Sequence, residues 1–550
     1  MLKEIISNIP IARQFTMLEL QENLTRDFVT IIHETLRIDV TKNSSALTSA
    51  DMEKIVVVVR QVYAKIFESR VVNPDMKIFV ANSLLCRLFE LWKISSTPEL
   101  FFIKIRQAFT PAQIVAALEL FMSVPTNQTW VLNFFCEHKN IFPRKQGKIR
   151  TIALYYTRIY SGGIERFLSK IIPVYIKLGY RVVLFTDEYK PELEYPLPPP
   201  SHNFFRVTFK SGNNTFERLN EVAEYLQKYE VDLLISHRHW GSTPPIFQCL
   251  FSKLSDVKFL MQFHCHLNYY VFDVNNIFIY RLADALINLS NTRREFWKSY
   301  DVRSYYVPNP TQIDNAEKFH GRDPRKITNT IIYVGRISKE SDKNTFAILP
   351  ILNEVVKVIP NVNLKIVGEI FSENVFEQMK NFIAENHLED NVEFLGYHTD
   401  VAPFYEAADV ILNTSPSEGW GLTIAESKFY ELPLVLYELD DNELLSDGKG
   451  YVSVPQGDFK AAARTVIKIL TDTEFRCKLS AEARESIQPF LDYDIAGAWK
   501  KIFDDLENDL PVPPHNVENE KIQTFLIKEI WKQRAQTQAV IAHFQNLMKR

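Results

Sequence analysis

The segment VILNTSPSEGWGLTIAESKFYELP, residues 410–433, joins an apolar run, a polar loop with two glycines and an amphipathic stretch without a break. The run 410–412 predicts a buried parallel strand, and residues 422–430 predict a helix. The loop between them, residues 414–421, therefore opens directly into a helix N-terminus.

A helix N-terminus placed after such a loop binds anions. Its first N–H groups have no partner within the helix, and the macrodipole adds about half a positive charge there. Gly419 and Gly421 would let the backbone approach a phosphate closely. Glu418 and Glu426 flank this cradle with seven residues between them, about 12 Å apart if the whole span were helical at roughly 1.5 Å per residue.

That separation is too long for two carboxylates that share a proton, or for the roughly 5 Å pair of a retaining glycosidase. It suits a ligand that carries a hydroxyl-rich group on each side of a diphosphate. A nucleotide sugar is such a ligand.

The sequence EGWGLTIAE, residues 418–426, resembles the Glu-x7-Glu signature of the family 4 retaining glycosyltransferases, whose fold is GT-B. The resemblance implies that Glu418 lies at the donor sugar and that Glu426 binds the ribose hydroxyls. It also implies that the sugar and diphosphate are held by the loop amides, at Gly419, Trp420, Gly421 and Leu422. The alternative is an ordinary strand, loop and helix with two surface glutamates, since Glu-x7-Glu alone is a weak pattern.

The bulk properties are those of a globular protein, with 46% hydrophobic and 24% charged residues. A chain of 550 residues is long enough for three or four domains. The net charge of -4 provides no basic surface, which argues against nucleic acid as a principal partner. The five cysteines are scattered and form no CxxC pair, so they predict neither a disulfide framework nor a zinc site and fit a reducing compartment.

No targeting or membrane segment is predicted. The first residues contain Glu4 and break at Pro10, so they lack the apolar core of a signal peptide. The strongest apolar run, residues 55–59, stops at Arg60, and nothing approaches the roughly 18 residues that a membrane span needs. We therefore expect a cytoplasmic protein, at most peripheral to the inner face of the membrane.

Residues 1–145 differ from the rest, because apolar residues recur there at helical spacing and Thr110-Pro111 is typical of a helix start. We find no catalytic motif in this helical domain. A packing or assembly role is favoured, through an oligomer or a partner protein, and acceptor recognition is the alternative.

From residue 146 onward, strand and helix patterns alternate, which predicts parallel sheets covered on both faces. The predicted fold class is α/β, specifically GT-B, with two Rossmann-like domains facing a cleft, an extra helical N-terminal domain and a C-terminal helical tail. The predicted ranges are 146–310 for the acceptor-side Rossmann-like domain, 311–490 for the nucleotide-sugar domain, and 491–550 for C-terminal helices, the first of which returns to the acceptor-side domain.

Gly162 and Gly163 follow the predicted strand 151–155, at the strand end where open α/β sheets bind ligands. The pair alone fits a tight turn as well as a ligand loop. GGIER, residues 162–166, resembles the GGAER-like loop of the same family, and this favours the ligand loop.

Histidines stand at two further strand ends. His237 and His239 share one face of an extended segment, but no third ligand follows at metal spacing, so a structural or acceptor-side role is favoured over a metal site. His264 closes the strand 257–263, and its position resembles that of the family's histidine that reaches the donor sugar; His266 is a weaker candidate. The alternative for His264 is an ordinary structural histidine.

Arg336 follows the strand 331–334, and Lys343 stands at a helix start. The family pattern has its lysine about five residues after the arginine, whereas Lys343 comes seven residues later and Lys339 lies between. Two cations in a closed cleft would stabilise the charge on a departing diphosphate. The alternative is a pair of solvated surface cations. Tyr397, after the strand 392–395, resembles the segment that contacts the nucleotide base.

Together these features predict a metal-independent, retaining hexosyltransferase. It would move a sugar from a nucleotide diphosphate, with UDP favoured, to a hydroxyl of a saccharide, lipid-linked or protein acceptor in cell-surface polysaccharide or glycoconjugate synthesis. The residues implied in catalysis are Glu418, His264, Arg336 and Lys343, and no cofactor is expected. Two alternatives are a non-catalytic GT-B protein used for assembly or acceptor binding, and a nucleotide-sugar epimerase.

Overall fold

The computed structural model describes most of the chain between residues 47 and 510. The described ranges are 47–68, 74–143, 147–160, 162–211, 215–237, 245–265, 281–298, 302–311, 318–339, 342–398 and 400–510, with a few isolated positions before residue 41. His239, His266 and the amphipathic segments predicted beyond residue 511 lie outside the described residues.

The N-terminal region is helical, as predicted. Thr110 begins one helix with a capping box, in which its hydroxyl accepts from the Gln113 N–H while the Gln113 side chain accepts from the Thr110 N–H, and Pro111 follows in the first turn. The helices are α1 (Ser49–Glu68), α2 (Pro74–Ile94), α3 (Pro98–Ala108), α4 (Pro111–Phe121) and α5 (Pro125–Glu137).

The first sheet has seven parallel strands in the order β3-β2-β1-β4-β5-β6-β7. Its strands are β1 (Thr151–Tyr155), β2 (Arg181–Thr186), β3 (Phe204–Thr208), β4 (Leu233–Ser236), β5 (Lys258–Gln262), β6 (Ala285–Asn288) and β7 (Ser304–Tyr306). The helices described along it are α6 (Gly163–Lys177), α7 (Thr215–Lys228), α8 (Pro245–Leu254) and α9 (Asn291–Lys298).

The second sheet has six parallel strands in the order β10-β9-β8-β11-β12-β13. Its strands are β8 (Thr330–Val334), β9 (Asn363–Val367), β10 (Val392–Gly396), β11 (Val410–Asn413), β12 (Leu434–Tyr437) and β13 (Tyr451–Val454). Its helices are α10 (Ile348–Val356), α11 (Glu373–Glu385), α12 (Ala402–Ala407), α13 (Leu422–Phe429), α14 (Phe459–Thr471) and α15 (Thr473–Leu491).

Both sheets reverse their strand order in the way that is typical of Rossmann-like folds. The reversal lies between β1 and β4 in the first sheet and between β8 and β11 in the second. Ligands of open α/β sheets bind beyond the carboxyl ends of the strands at such a point. The predicted fold class is confirmed: two parallel Rossmann-like sheets follow a helical region, and helices come after them.

Two helices follow β13 directly, one after the other. Asp472 ends α14 and begins α15, because its side chain accepts from the Phe475 N–H. A last helix, α16 (Ile495–Glu507), then returns to the first sheet. Trp499 and Phe503 lie in the core on one face of that sheet, and the Glu507 carboxylate accepts from the Ile149 N–H at 2.8 Å.

On the opposite face of the first sheet, α8 packs against β4 and β5, and the N-terminal helix α4 packs against α7 and α8. Trp92, Phe101 and Phe135 belong to the same buried cluster as Tyr155 and Phe185 of the sheet. The helical region therefore shares one continuous hydrophobic core with the sheet that follows it.

Candidate active site

The loop that enters α13 has the predicted strand-loop-helix geometry. Gly421 is the N-cap residue of α13 and has a φ of +83°, a conformation that L side chains rarely adopt. A Cβ at this position would also lie 2.7 Å from Ile424 Cδ1. Glycine is therefore required at Gly421 for the turn into the helix.

Gly419 lies where the loop that enters α13 meets the segment following β5. A Cβ on Gly419 would lie 1.8 Å from the carbonyl oxygen of His264, two residues past the end of β5. Protein backbone therefore fills the space that a side chain would need at this position. This glycine allows the second unit, the six-stranded sheet with its helices, to pack closely against the first unit, the seven-stranded sheet with its helices.

Glu418 and Lys343 form an ion pair, although 75 residues separate them in the chain. Lys343 Nζ lies 2.6 Å from Glu418 Oε1, and Glu418 is only 9% exposed. Burial lowers the pKa of Lys343, but the adjacent Glu418 carboxylate outweighs burial and leaves that pKa above its ordinary value. The lysine therefore keeps its charge at neutral pH.

Arg336 lies in the same cluster of charges. Its Nη2 is 3.4 Å from Asp342 Oδ2, and its guanidinium stacks 4.8 Å from the ring centre of Phe371. Its positive charge acts on the pKa values of both Lys343 and Glu165. The structure thus brings together Arg336, Lys343 and Glu418 at the carboxyl ends of neighbouring strands.

Glu426 is buried between the two units. The Arg166 guanidinium of α6 donates to one carboxylate oxygen, and the Tyr405 hydroxyl donates to the other at 2.7 Å. Tyr405 in turn stacks on Tyr430, with ring centres 5.3 Å apart. The carboxylate implied in ribose binding is therefore held by one partner from each unit.

The Gly162-Gly163 loop faces the start of α13. A Cβ on Gly163 would lie 3.4 Å from Leu422 Cδ1, so the N-termini of α6 and α13 approach each other across the cleft. Glu165 is buried in the first turn of α6. Burial raises the pKa of Glu165 above its ordinary value, although Arg158, at 3.5 Å, opposes the shift.

A small cavity of about 20 Å³ lies between α6, α13 and the crossover that follows β7. Its polar lining includes Arg166, Glu426, Asn309 and Trp420. Within the described part of the chain, Asn309 Oδ1 and Trp420 Nε1 are buried without a hydrogen-bond partner. The cavity is thus a space between the two units with unsatisfied polar groups on its wall.

Trp420 itself is mostly a core residue. It is 2% exposed, and its ring meets that of Phe490 edge-on, with centres 5.4 Å apart.

Tyr397, in contrast to the buried Trp420, is 45% exposed and follows Gly396, whose backbone is left-handed. Burial and the nearby Tyr397 raise the pKa of Tyr195 in the first unit, so Tyr397 lies on the rim between the units.

His264 and His237 are neighbours at the ends of β5 and β4. His264 Nε2 lies 2.9 Å from His237 Nδ1, and both rings are buried. One nitrogen must donate and the other accept, so the two tautomers are linked. His264 was predicted as a donor-sugar residue, and the structure gives its Nε2 a protein partner.

Two residues of this site, Arg166 and Tyr405, were not predicted from the sequence. Arg166 stands inside the GGIER motif, which could have identified it. His237 was named from the sequence, but its contact with His264 was not predicted. Tyr405 carries no local signal, because its contact with Glu426 depends on the packing of α12 against the loop.

Among the residues described, no group of three or more His, Cys, Asp or Glu side chains is placed to hold a metal ion. Of the helices in the ranges given above, none combines the length and apolar character needed to cross a membrane.

The fold and the facing helix N-termini define the GT-B class. The model for glycosyl transferases group 1 matches residues 314–486, and that for glycosyltransferase family 4 matches residues 161–315. Together the matches run from residue 161 to residue 486, more than half of the 550-residue chain. The chain belongs to the family 4 glycosyltransferases and is a glycosyltransferase of GT-B fold.

Curated relatives are distant. An uncharacterised glycosyltransferase of Haemophilus influenzae is 21% identical over 62% of this chain and 96% of its own length. The capsular polysaccharide biosynthesis glycosyltransferase CapM of Staphylococcus aureus is 27% identical over 32% of this chain and 46% of its own. A poly(ribitol-phosphate) alpha-N-acetylglucosaminyltransferase of Staphylococcus aureus is 24% identical over 40% of this chain and 44% of its own length. The chain thus spans less than half the length of each of the two Staphylococcus aureus proteins.

Solved structures support the fold. Anabaena HepE, crystallised with UDP and glucose, has a TM-score of 0.52 at 16% identity over 65% of this chain and 100% of its own. Sucrose-phosphate synthase from Thermosynechococcus elongatus has a TM-score of 0.52 at 18% identity, over 66% of this chain and 100% of its own.

Proposed function

We propose that the protein transfers a sugar from a UDP-sugar to an acceptor hydroxyl with retention of the anomeric configuration. The observation that carries this proposal is the Lys343–Glu418 ion pair beside Arg336, at the strand ends where the two units face each other. Two cations and one carboxylate in a partly buried cleft suit a reaction in which negative charge develops on a leaving diphosphate.

Each group of the cleft has a proposed role. Arg336 and Lys343 stabilise the departing diphosphate together with the N-terminus of α13. Glu418 orients the donor sugar. On the far side of the loop, Glu426 binds the ribose hydroxyls, and Tyr397 contacts the base.

The remaining predicted residues complete the site. The loop backbone from Gly419 to Leu422 holds the sugar and diphosphate, the Gly162-Gly163 loop faces the diphosphate from the acceptor side, and His264 lies beside the donor sugar. These assignments rest on the family resemblance and on the proximity described above.

The proposed chemistry needs no protein nucleophile. The bond between the anomeric carbon and the phosphate oxygen breaks, and the acceptor oxygen bonds to that carbon on the same face. The acceptor proton passes to the departing phosphate. Because Arg336 and Lys343 supply positive charge where the diphosphate leaves, the proposal includes no metal.

Support for the donor and acceptor classes comes from the similar proteins. HepE was crystallised with UDP, and the S. aureus relatives are a capsular polysaccharide biosynthesis glycosyltransferase and a poly(ribitol-phosphate) alpha-N-acetylglucosaminyltransferase. We therefore propose a cell-surface polysaccharide or glycoconjugate as the acceptor.

The test is a thermal-shift panel of nucleotide sugars followed by turnover of the stabilising one. A ligand that binds only the folded protein raises the melting temperature. We expect turnover to persist in EDTA and to fall about 100-fold or more in Glu418→Ala. The matched control is Glu485→Ala, which removes an exposed glutamate paired with Lys449 at 2.5 Å. Loss of activity in EDTA, or an unaffected Glu418→Ala, would contradict the mechanism.

A further inference from the structure

A buried arginine of the first unit contacts the loop 414–421 of the second unit, here called the donor loop. Arg293 lies in the first turn of α9 and is 0% exposed. Its guanidinium crosses to the second unit, where Nε lies 2.8 Å from Asp441 Oδ2 and Nη2 donates to the Asp441 carbonyl at 2.7 Å. Asp441 follows β12 and is also buried.

The same guanidinium binds the main chain of the donor loop. Nη2 donates to the carbonyl of Glu418 at 3.3 Å, and Nη1 donates to the carbonyl of Gly419 at 3.2 Å. Nη1 also lies 3.4 Å from the carbonyl of Cys265, next to His264. One side chain thus joins the two units at the peptide that carries Glu418.

Neighbouring residues hold Arg293 in place. The Ser290 hydroxyl donates to Asp441 Oδ2 at 2.7 Å and accepts from the Arg293 N–H at 3.1 Å. Asn291 binds Glu443 through its N–H at 3.0 Å and its side-chain amide at 2.8 Å. Ser290, Asn291 and Arg293 therefore fix the start of α9 to the second unit.

We propose that Arg293 is a positioning residue for the transfer reaction. A planar guanidinium with five N–H donors can satisfy a carboxylate and several carbonyls at once, which an ammonium group cannot. By fixing the carbonyls of Glu418 and Gly419, Arg293 sets the direction in which the Glu418 carboxylate projects toward Lys343 and the donor sugar. This inference rests on the proposed function, because Glu418 is assigned there to the donor sugar.

The experiment uses the full chain and measures UDP binding separately from turnover. In Arg293→Lys the charge facing Asp441 is kept, but the fork that spans the loop carbonyls is lost. We expect kcat with the UDP-sugar that wild type turns over to fall about 30-fold, because small displacements of reacting groups cost that much. The Kd for UDP alone should stay within about two-fold, since Arg293 touches neither Glu426 nor Tyr397.

Arg476→Lys is the matched control. Arg476 is equally buried and also donates to main-chain carbonyls, those of Pro324 and Ile469, but it lies on α15 and contacts no residue of the cleft. Its substitution should alter stability without changing kcat. If Arg293→Lys does not fold, Ser290→Ala is the second variant. It keeps the Arg293–Asp441 ion pair. We expect its kcat to be several-fold lower than that of wild type, with the Kd for UDP unchanged.

A double substitution separates positioning from general damage. If Arg293 acts through Glu418, Arg293→Lys should lower kcat in wild type and have little further effect in the Glu418→Ala background. Equal effects in both backgrounds, or a kcat like that of Arg476→Lys, would overturn the proposal while leaving the proposed function standing. Absence of any UDP-sugar turnover by wild type would instead refute the proposed function, and the role of Arg293 with it.

Discussion

Glu418 and Glu426 are both paired with cations from distant parts of the chain. The family resemblance implied a cleft that holds both Lys343 and Glu418, which follow neighbouring strands of one sheet, and the two side chains form an ion pair. Arg166 was not predicted as the partner of Glu426, since that contact depends on how the two units pack. At the scale of single residues, sequence therefore predicts neighbours within a sheet better than contacts between sheets.

Lys428 is a buried cation without a predicted function. It is 0% exposed and donates to the Leu444 carbonyl and the Ser486 hydroxyl, with Asp447 Oδ1 at 3.7 Å. Burial lowers its pKa from 10.5 to about 8. The folded protein therefore favours the neutral amine more strongly than the unfolded chain does.

This shift predicts a specific pH dependence of stability. Between pH 8 and 10.5 the unfolded chain binds more protons at Lys428 than the folded protein, so the contribution of this residue to stability rises with pH. The free energy of unfolding of wild type minus that of Lys428→Met should increase by about 1 kcal/mol per pH unit from pH 8 to 9.5. Denaturant unfolding at several pH values measures the difference, and Lys449→Met, at an exposed ion pair, is the control. A difference that is flat or falls with pH would show that Lys428 keeps its ordinary pKa.

At the scale of elements, the central strands and the edge strand β10 were predicted closely, whereas the edge strands β3 and β13 were missed. The strand ending at Tyr155 and the strand starting at Val410 have the continuous apolar runs of strands buried on both faces. By contrast β3 and β13 lie at sheet edges, and several of their side chains are partly exposed, so their sequences show no such run. These two edge strands form because they pair with a neighbouring strand, and their own composition does not identify them.

The contact between the donor loop and the end of β5 gives a prediction at this scale. Gly419→Ala places a Cβ against the His264 carbonyl, and neither backbone can move without separating the two units. We expect kcat/KM to fall about 100-fold. Gly448→Ala is the control: φ is +72° there but no atom lies within 4 Å, so it carries backbone strain of about 1 kcal/mol without a clash. Activity of Gly419→Ala equal to that of Gly448→Ala would mean that the close approach is not needed.

At the scale of the whole molecule, the first sheet is enclosed by segments from both sides of it in sequence. On one face the N-terminal helices join the core of the sheet by packing against α7 and α8, and on the other face α16 packs together with α6. The return of α16 was predicted from the resemblance, whereas the shared core with the N-terminal helices was not, because amphipathic helices do not specify which surface they cover. The predicted domain ranges remain predictions.

Trp499 tests the dependence of the first unit on α16. It is 0% exposed and packs edge-on against Tyr175, with ring centres 5.2 Å apart. Trp499→Ala should cost about 3–5 kcal/mol and lower the calorimetric transition of the first unit by roughly 6–20 °C. Lys500→Ala, on the exposed face of the same helix, should change it by less than about 0.5 kcal/mol. Equal transitions in the two variants would show that α16 is dispensable.

The position of α16 has a consequence for synthesis on the ribosome. The strands of the first sheet are all translated by Tyr306, but the helix that seals one of its faces begins only at Ile495. A nascent chain paused between these points carries Ile152, Leu184 and Ile235 on a face that lacks its final cover. The first half of the enzyme therefore completes its fold only after translation of the second half, and chaperones that bind exposed apolar surface have that interval in which to act.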